Sequence, residues 1–515
     1  MTAGTGASAI AGALLLTLIA CATGATADAA GARAASDSDA LARELLTQLI
    51  AINTTDTERG NVTTATEAMA QRLRTAGFPA ADVQVLGPSE RKKNLVVRLR
   101  GTGRHKPVLL IGHLDVVEAR REDWSTDPFQ LVEKDGDFYG RGTLDMKGPD
   151  AIMLAALIRL KHEGWRPARD IILALTADEE GGGANGVQWL LQHHRELIDA
   201  QFVLSGDDPS VLTENGKPLF FQLIASEKGY ADFQLRVSNK GGHSSEPVPD
   251  NAIYTLTRGL DRLAAYEFPF ELNAVTREYY RRLAQIESPQ RAADMRAILR
   301  DPPDEQALAR LSQEVVDRSI TRTTCVATRL DAGHANNALP QRAEAVVNCR
   351  ILPGHSPEEV RRRLLQVLSD PAITVSYLAS DGTLSDEAPA VRGFAPPPLL
   401  PEMLTPLEQL VAETWPGLKV IPAMSTGGSD AKHTIAAGMP TYTFTPLTVD
   451  PNDDRSHGRI RGHLLIGRLV GGGGPIVEVE IGREALRELR VLDDDVPVTV
   501  LRRRRVAQVG LVAAV

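Results

Sequence analysis

The stretch Pro107-Val-Leu-Leu-Ile-Gly-His113-Leu-Asp115-Val-Val117 is an unbroken apolar run that closes on a histidine and an aspartate. A run without polar alternation fits a strand buried on both faces, as at the centre of a parallel sheet covered by helices. A second such run spans residues 170–176 and stops just before Glu179-Glu180. A shorter one, residues 201–204, precedes Asp207-Asp208. Between them, residues 148–161 and 186–196 carry helical periodicity. Strands alternating with helices predict an α/β fold with a helix-covered, mostly parallel sheet. Ligands of such sheets gather at the carboxyl ends of the strands, which is where these polar residues stand.

Upstream, residues 38–49 and 64–76 read as amphipathic helices and 94–100 as a strand. The pattern changes near residue 227. Residues 230–238 alternate as a half-exposed strand, 251–265 read as a helix, and 273–317 as a polar helical insert. Two further strands, 323–330 and 343–352, flank an expected turn at Asn337. Ser356, Pro357 and Glu359 spell a capping box with proline at the first helical position, and residues 373–378 complete the unit. The order β-α-β-β-α-β predicts an inserted ferredoxin-like α+β domain. The organisation expected is a leader over 1–36, a main domain in two parts (37–226 and 381–458) around an insertion over 227–380, and an atypical tail over 459–515.

The chain has 515 residues and a net charge of −9. That length exceeds one simple core, and the acidic balance argues against a nucleic-acid partner. Residues 9–19 are apolar and too few to span a membrane. Leu18-Ile-Ala-Cys21 has the form of a lipoprotein cleavage box, which predicts export and a lipid anchor at Cys21. Small residues at 25–30 offer an alternative cleavage site, and no Lys or Arg precedes the apolar run. The localisation expected is periplasmic or membrane-anchored. Cys325 and Cys349 lie symmetrically about Asn337. They are read either as a cross-strand disulfide, which export permits, or as two buried thiols.

The polar residues suit divalent-metal chemistry. His113 and His457 offer imidazoles, and Asp145, Glu179, Glu180, Asp207 and Asp208 offer carboxylates. On a strand, residues two apart share a face, so the Asp115 carboxylate is expected to accept from the His113 ring and fix its tautomer. Asp145 stands in a glycine-rich turn, Gly140-Arg-Gly-Thr-Leu-Asp145-Met-Lys-Gly148, where a carboxylate can bridge two ions or simply cap the following helix. In Glu179-Glu180 one acid can bind metal while the other takes a proton from activated water. Each motif alone is also compatible with an ordinary surface turn or helix cap.

Together with Gly241-Gly-His-Ser-Ser245, Asn337-Ala-Leu-Pro340 and Gly427-Gly-Ser-Asp430, these segments resemble the two-zinc metallopeptidases and deacylases. That family includes glutamate carboxypeptidase, aminoacylase, acetylornithine deacetylase and succinyl-diaminopimelate desuccinylase. The resemblance covers roughly residues 41–458. It implies two Zn²⁺ (or Co²⁺ or Mn²⁺) per chain: one held by His113, Asp145 and Asp207, the other by Asp145, Glu180 and His457. It implies Glu179 as general base, Asp115 as the residue orienting His113, and a cis peptide after Asp145. The inserted domain becomes a lid and homodimerisation domain. It supplies His243 to the oxyanion, Asn337 to the oxyanion or substrate, and Arg350 to a substrate carboxylate, while Gly427, Gly428 and Ser429 floor the pocket.

Two departures stand out. Asp207-Asp208-Pro209 replaces the family's usual acid followed by Gly-Gly, which leaves Asp207 and Asp208 as alternative ligands. Past Gly458 the acidic, helical ending is missing, and the tail is read as a shifted frame of the ancestral terminus. The expected activity is hydrolysis of amide bonds in short peptides, carboxypeptidase- or dipeptidase-like. Deacylation of N-acyl amino acids is the alternative, and a catalytically idle metal- or peptide-binding lipoprotein is the rival of another class.

Overall fold

The computed structural model describes residues 37–134, 137–181 and 183–450, together with the main chain of 466–467. The leader with Cys21, the ligand candidate His457 and the remaining tail lie outside the described residues.

A ten-stranded sheet forms the main domain. At its centre Val108–His113 lies parallel to Ile171–Thr176 on one side and Phe202–Ser205 on the other, and Phe202–Ser205 is parallel to Thr441–Thr443. The sheet is mostly parallel there, with antiparallel pairs toward both flanks, such as Asn94–Leu99 against Ile171–Thr176 and Val211–Glu214 against Lys217–Glu227. Alternate residues of the central strand enter different cores. Val108 and Leu110 pack with the helices over 37–50, Val62–Thr75 and Lys147–His162. Leu109 and Ile111 pack on the other face with Leu190 of the helix Gly186–His193. Both faces are therefore covered, which is why the run had to be apolar throughout. Gly112 is required where the helix Lys147–His162 starts: a Cβ there would lie 2.1 Å from Asp150 Oδ1.

The inserted domain is a second sheet. Its strands run Thr324–Ala332, Arg342–Ile351, Gly229–Ser238, Thr374–Leu378 in spatial order, all antiparallel, ending on the short Leu384–Ser385. The helices Ala252–Ala265 and Pro357–Leu368 pack on it through Leu256, Leu263, Val360 and Leu364. This is the β-α-β-β-α-β order expected, and Ser356 and Glu359 form their capping box. Cys325 stands directly opposite Cys349 in the register, and the two form a disulfide.

Three expectations change. The central strand ends at His113 rather than near Val117, so Asp115 lies beyond the pleat that was to align it with the ring. The helix expected over 186–196 is broken at His194, whose backbone is not helical. The insert, four helices from Ala274–Leu283 to Val315–Ile320, is grouped by sequence with the lid, yet it packs on the main sheet. Tyr279, Tyr280, Leu283 and Met295 bury against Phe220, Ile224, Ile421 and Met424.

Candidate metal and catalytic site

His113 is the last residue of the central strand and only 2% exposed. Its Nδ1 donates to the main-chain oxygen of Asp115 at 3.0 Å. A carbonyl can only accept, so Nδ1 carries a proton and Nε2 is the ring nitrogen that faces the cleft. There Nε2 lies 3.0 Å from Asp145 Oδ1 and 3.4 Å from Asp207 Oδ1. His113, Asp145 and Asp207 bring one ligand atom each within 4.8 Å of one another. Asp145 Oδ1 is shielded from solvent. An imidazole nitrogen and two carboxylates converging on one point are a donor set for a divalent cation. Burial alone would pull the His113 pKa down, but the Asp145 and Asp207 carboxylates outweigh it and hold it well above the usual range. The cluster stabilises positive charge at its centre.

Local sequence explains the convergence. Asp207 stands two residues past the strand Phe202–Ser205. Asp145 ends a turn in which Gly142 has φ +92°, and the Asp145–Met146 peptide is cis. Of the two alternatives after that strand, Asp207 faces His113. The neighbouring Asp208 uses its main-chain oxygen to accept from Thr445, and burial beside Asp207 and Glu227 raises its carboxyl pKa well above normal.

The Asp115 carboxylate does not hold the imidazole: Oδ1 is 3.7 Å from Nδ1. It accepts instead from the main-chain N–H groups of Glu179 at 3.2 Å and Glu180 at 2.9 Å. Asp115 therefore links two parts of the site, with its carbonyl on His113 and its carboxylate on the Glu179-Glu180 turn. Loss of hydration, with Asp207, Asp430 and Glu180 nearby, raises Glu179 to about 8 despite the opposing effect of His113. Glu180 rises to about 7 through loss of hydration and the charge of Asp145. An acid so poised can both take and return a proton near neutrality.

The inserted-domain residues form a second group. Gly242–His243 pairs with Ala338–Leu339, and Ser244 N–H donates to the Asn337 carbonyl at 3.0 Å, so His243 and Asn337 sit side by side. His243 is exposed, with Nδ1 2.7 Å from Ser245 Oγ. Arg350 lies opposite Tyr230 and stacks 4.9 Å above its ring. Among the described residues no hydrogen bond or ion pair joins these three to the His113 cluster. Gly427, Gly428 and Ser429 follow the strand Val420–Ser425, and Ser429 is fixed by Glu227, which accepts from both its N–H and its hydroxyl.

Sequence reasoning passed over three contributors. Asp430, next in the quoted Gly-Gly-Ser-Asp segment, is buried and accepts from Thr176 Oγ1 at 3.2 Å and Asn185 Nδ2 at 2.5 Å. Arg141, inside the Gly140–Gly148 segment, stacks 5.1 Å above Trp124 and acts by its charge on Glu180 and Asp145. Lys92 had no signal beyond being basic.

A buried imidazole, converging carboxylates and a poised glutamate define a metal-dependent hydrolase site. The chain belongs to peptidase family M20/M25/M40, whose model matches residues 109–470. The human N-fatty-acyl-amino acid synthase/hydrolase PM20D1 is 30% identical over 368 residues, covering 68% of this chain and 69% of that protein. The probable carboxypeptidase S-like 2 of Dictyostelium discoideum is 28% identical over 364 residues, covering 68% and 67%. In fold the chain is similar to the M20 family metallo-carboxypeptidase Sso-CP2 of Sulfolobus solfataricus, with a TM-score of 0.62 at 14% identity over 92% of this chain and 99% of that one.

Proposed function

We propose that this enzyme hydrolyses amides whose nitrogen belongs to an amino acid with a free carboxylate, a class that includes short peptides and N-acyl amino acids. The observation carrying this reading is the junction at Asp115, which joins the His113–Asp145–Asp207 cluster to the turn bearing Glu179. In this reading His113, Asp145 and Asp207 hold one divalent cation, and Asp145, Glu180 and His457 hold a second. When bound, such ions supply Lewis acidity and bring water to ionisation near neutrality. Glu179 takes the proton of the attacking water and returns it to the leaving amine. His243 and Asn337 approach from the lid to meet the oxyanion on closure. Arg350 pairs with the substrate carboxylate through its planar fork, and Gly427, Gly428 and Ser429 floor the pocket.

The name of the human relative supports N-acyl amino acids within this class and that of the Dictyostelium relative supports peptides. The Cys325–Cys349 disulfide supports export, since oxidising compartments preserve such bonds; a lipid anchor at Cys21 is part of the same proposal. The outer strand of the lid, Thr324–Ala332, exposes Val326 and Leu330 and pairs on one edge only among the described residues. It is the surface we assign to a homodimer.

The test is amino-acid release from a panel of dipeptides, tripeptides and N-acyl amino acids, comparing wild type with Glu179→Gln. Loss of general acid–base assistance should slow turnover by about 10²–10⁴-fold. Release by both proteins at similar rates would remove Glu179 from its role, and release by neither would favour an idle metal-binding protein.

A further inference from the structure

Glu179 and Glu180 extend from a turn whose backbone is held in an unfavourable shape. Asp178, immediately before them, is 1% exposed and has φ +64°. Few residues other than glycine take this left-handed conformation, and aspartate does so where its short side chain finds hydrogen-bond partners close by. The Asp178 carboxylate is held on both oxygens. Oδ1 accepts from Lys92 Nζ at 2.6 Å, and Oδ2 accepts from the Ala184 N–H. Lys92 Nζ also lies 2.9 Å from Asp56 Oδ1. The chain then passes hard against both acids. A Cβ on Gly181 would stand 2.4 Å from Asp178 Oδ1 and 2.9 Å from Asp56 Oδ2.

The ammonium thus separates two carboxylates that would otherwise repel across Gly181, beside Glu179 and Glu180. Lys92 is itself well anchored through its neighbours: Lys93 N–H donates to Thr63 Oγ1 at 3.1 Å, and Thr66 Oγ1 donates to the Lys93 carbonyl at 2.9 Å. The next residue, Asn94, accepts from Ala177 N–H at 3.0 Å. The turn is therefore clamped from two sides, by Asp115 just past the end of the central strand and by Lys92 just before Asn94–Leu99, the strand paired with Ile171–Thr176.

We propose that Lys92 is a positioning residue, which through Asp178 and Asp56 locks the turn that aims Glu179 at the reacting water and Glu180 at the cation. The proposal rests on the role of Glu179 given above. It needs the positive charge and the reach of Lys92, not contact with substrate. The charge is favoured there: burial alone would lower the Lys92 pKa, but Asp178 and Asp56 outweigh it and raise it.

The test compares wild type, Lys92→Met, Lys92→Arg and Glu179→Gln in the full chain. It reads kcat and KM, together with amide hydrogen exchange in the peptide spanning residues 177–184. Lys92→Met should lower kcat by at least about tenfold, the scale of one lost charge-assisted bond, with KM within about threefold. Exchange at the Glu179 and Glu180 amides should accelerate while the rest of the main domain exchanges as before. Lys92→Arg should recover most of both losses. Glu179→Gln should lose turnover with exchange unchanged, which separates failure of the clamp from failure of the base. Wild-type kcat in Lys92→Met, or slowed turnover without faster local exchange, would overturn the proposal. If Lys92→Met is recovered unfolded, Lys92→Gln is scored by the same readings.

Discussion

Replacing Asp115 with asparagine tests how the two halves of the site are joined. The substitution keeps the main-chain carbonyl that holds His113 and removes the charge that holds the Glu179-Glu180 turn. One carboxylate oxygen becomes an amide N–H₂ facing a backbone donor, and the other becomes a neutral acceptor. One charge-assisted bond is lost and one weakened, about 2–3 kcal/mol in all. If that energy maintains the alignment of Glu179 in the transition state, kcat falls by about 30- to 150-fold, since about 1.36 kcal/mol is a factor of ten. A cation at the His113, Asp145 and Asp207 cluster should stay bound, because their mutual geometry is untouched. The assay pairs steady-state kinetics on the best substrate of the panel with zinc affinity by chelator competition. A kcat within threefold of wild type would refute the reasoning. So would a loss of zinc affinity as large as that of His113→Ala, which would return the carboxylate to the imidazole.

The disulfide closes a sequence separation of 24 residues, so Cys325→Ala with Cys349→Ala should lose about 3.5 kcal/mol by the chain-entropy estimate; urea denaturation measures this, and a loss under about 1 kcal/mol would show that strand pairing alone holds the hairpin. Dialysis against a chelator should abolish turnover and lower the melting temperature, because Asp145, Asp207 and Glu180 then repel one another; zinc, manganese or cobalt should restore both, and activity persisting in metal-free protein would contradict the site. Glu358 is held down to about 2 by Arg361, with the Ala388 N–H and Arg362 assisting. Its folded pKa is depressed, so its stabilisation is complete above about 4.5 and is lost as pH falls toward 2. Glu358→Gln should therefore destabilise at pH 7 and progressively less on acidification, read from denaturation midpoints across pH.

Much of this architecture was legible in the residues. The run ending at His113 and the run over 171–176 are apolar throughout because both faces of the sheet are covered, and period alone reports that. The turn at Asn337 and the capping box at Ser356 marked out the inserted domain. Of the three residues brought together at the cluster, His113 closes and Asp207 follows an apolar run that could be recognised as a strand, while Asp145 was marked only by its glycine-rich turn. Other features depend on where the backbone leaves regular structure. The Leu114 N–H still bonds the Thr176 carbonyl at 2.8 Å, but the strand has ended, and alternation no longer says which way Asp115 points. Nothing in Asp178-Glu-Glu announces a left-handed residue, so its partner Lys92 looked like any surface lysine. The helices of the insert show an apolar face through Tyr279, Tyr280 and Leu283, yet a periodic face says only that something covers it. That the cover is the strands Lys217–Glu227 and Val420–Ser425 is a tertiary fact.

That cover bears on the closure proposed for the inserted domain. Lys228, the residue joining the main sheet to the first lid strand, donates through Nζ to the carbonyls of Ser319 and Arg322, both at 2.9 Å, and to Thr324 Oγ1 at 3.0 Å. The crossing residue is thereby riveted to the far end of the insert, while Arg282 ties the near end to Glu408 and to the Val420 carbonyl. The insert belongs mechanically to the stator rather than the rotor. If the inserted domain closes as proposed, it must flex above this plate, in the strands beyond Gly229 and Thr324 and in the proline-rich return over 388–400, so the arc then available to His243 and Asn337 is set by a bracket that touches neither of them.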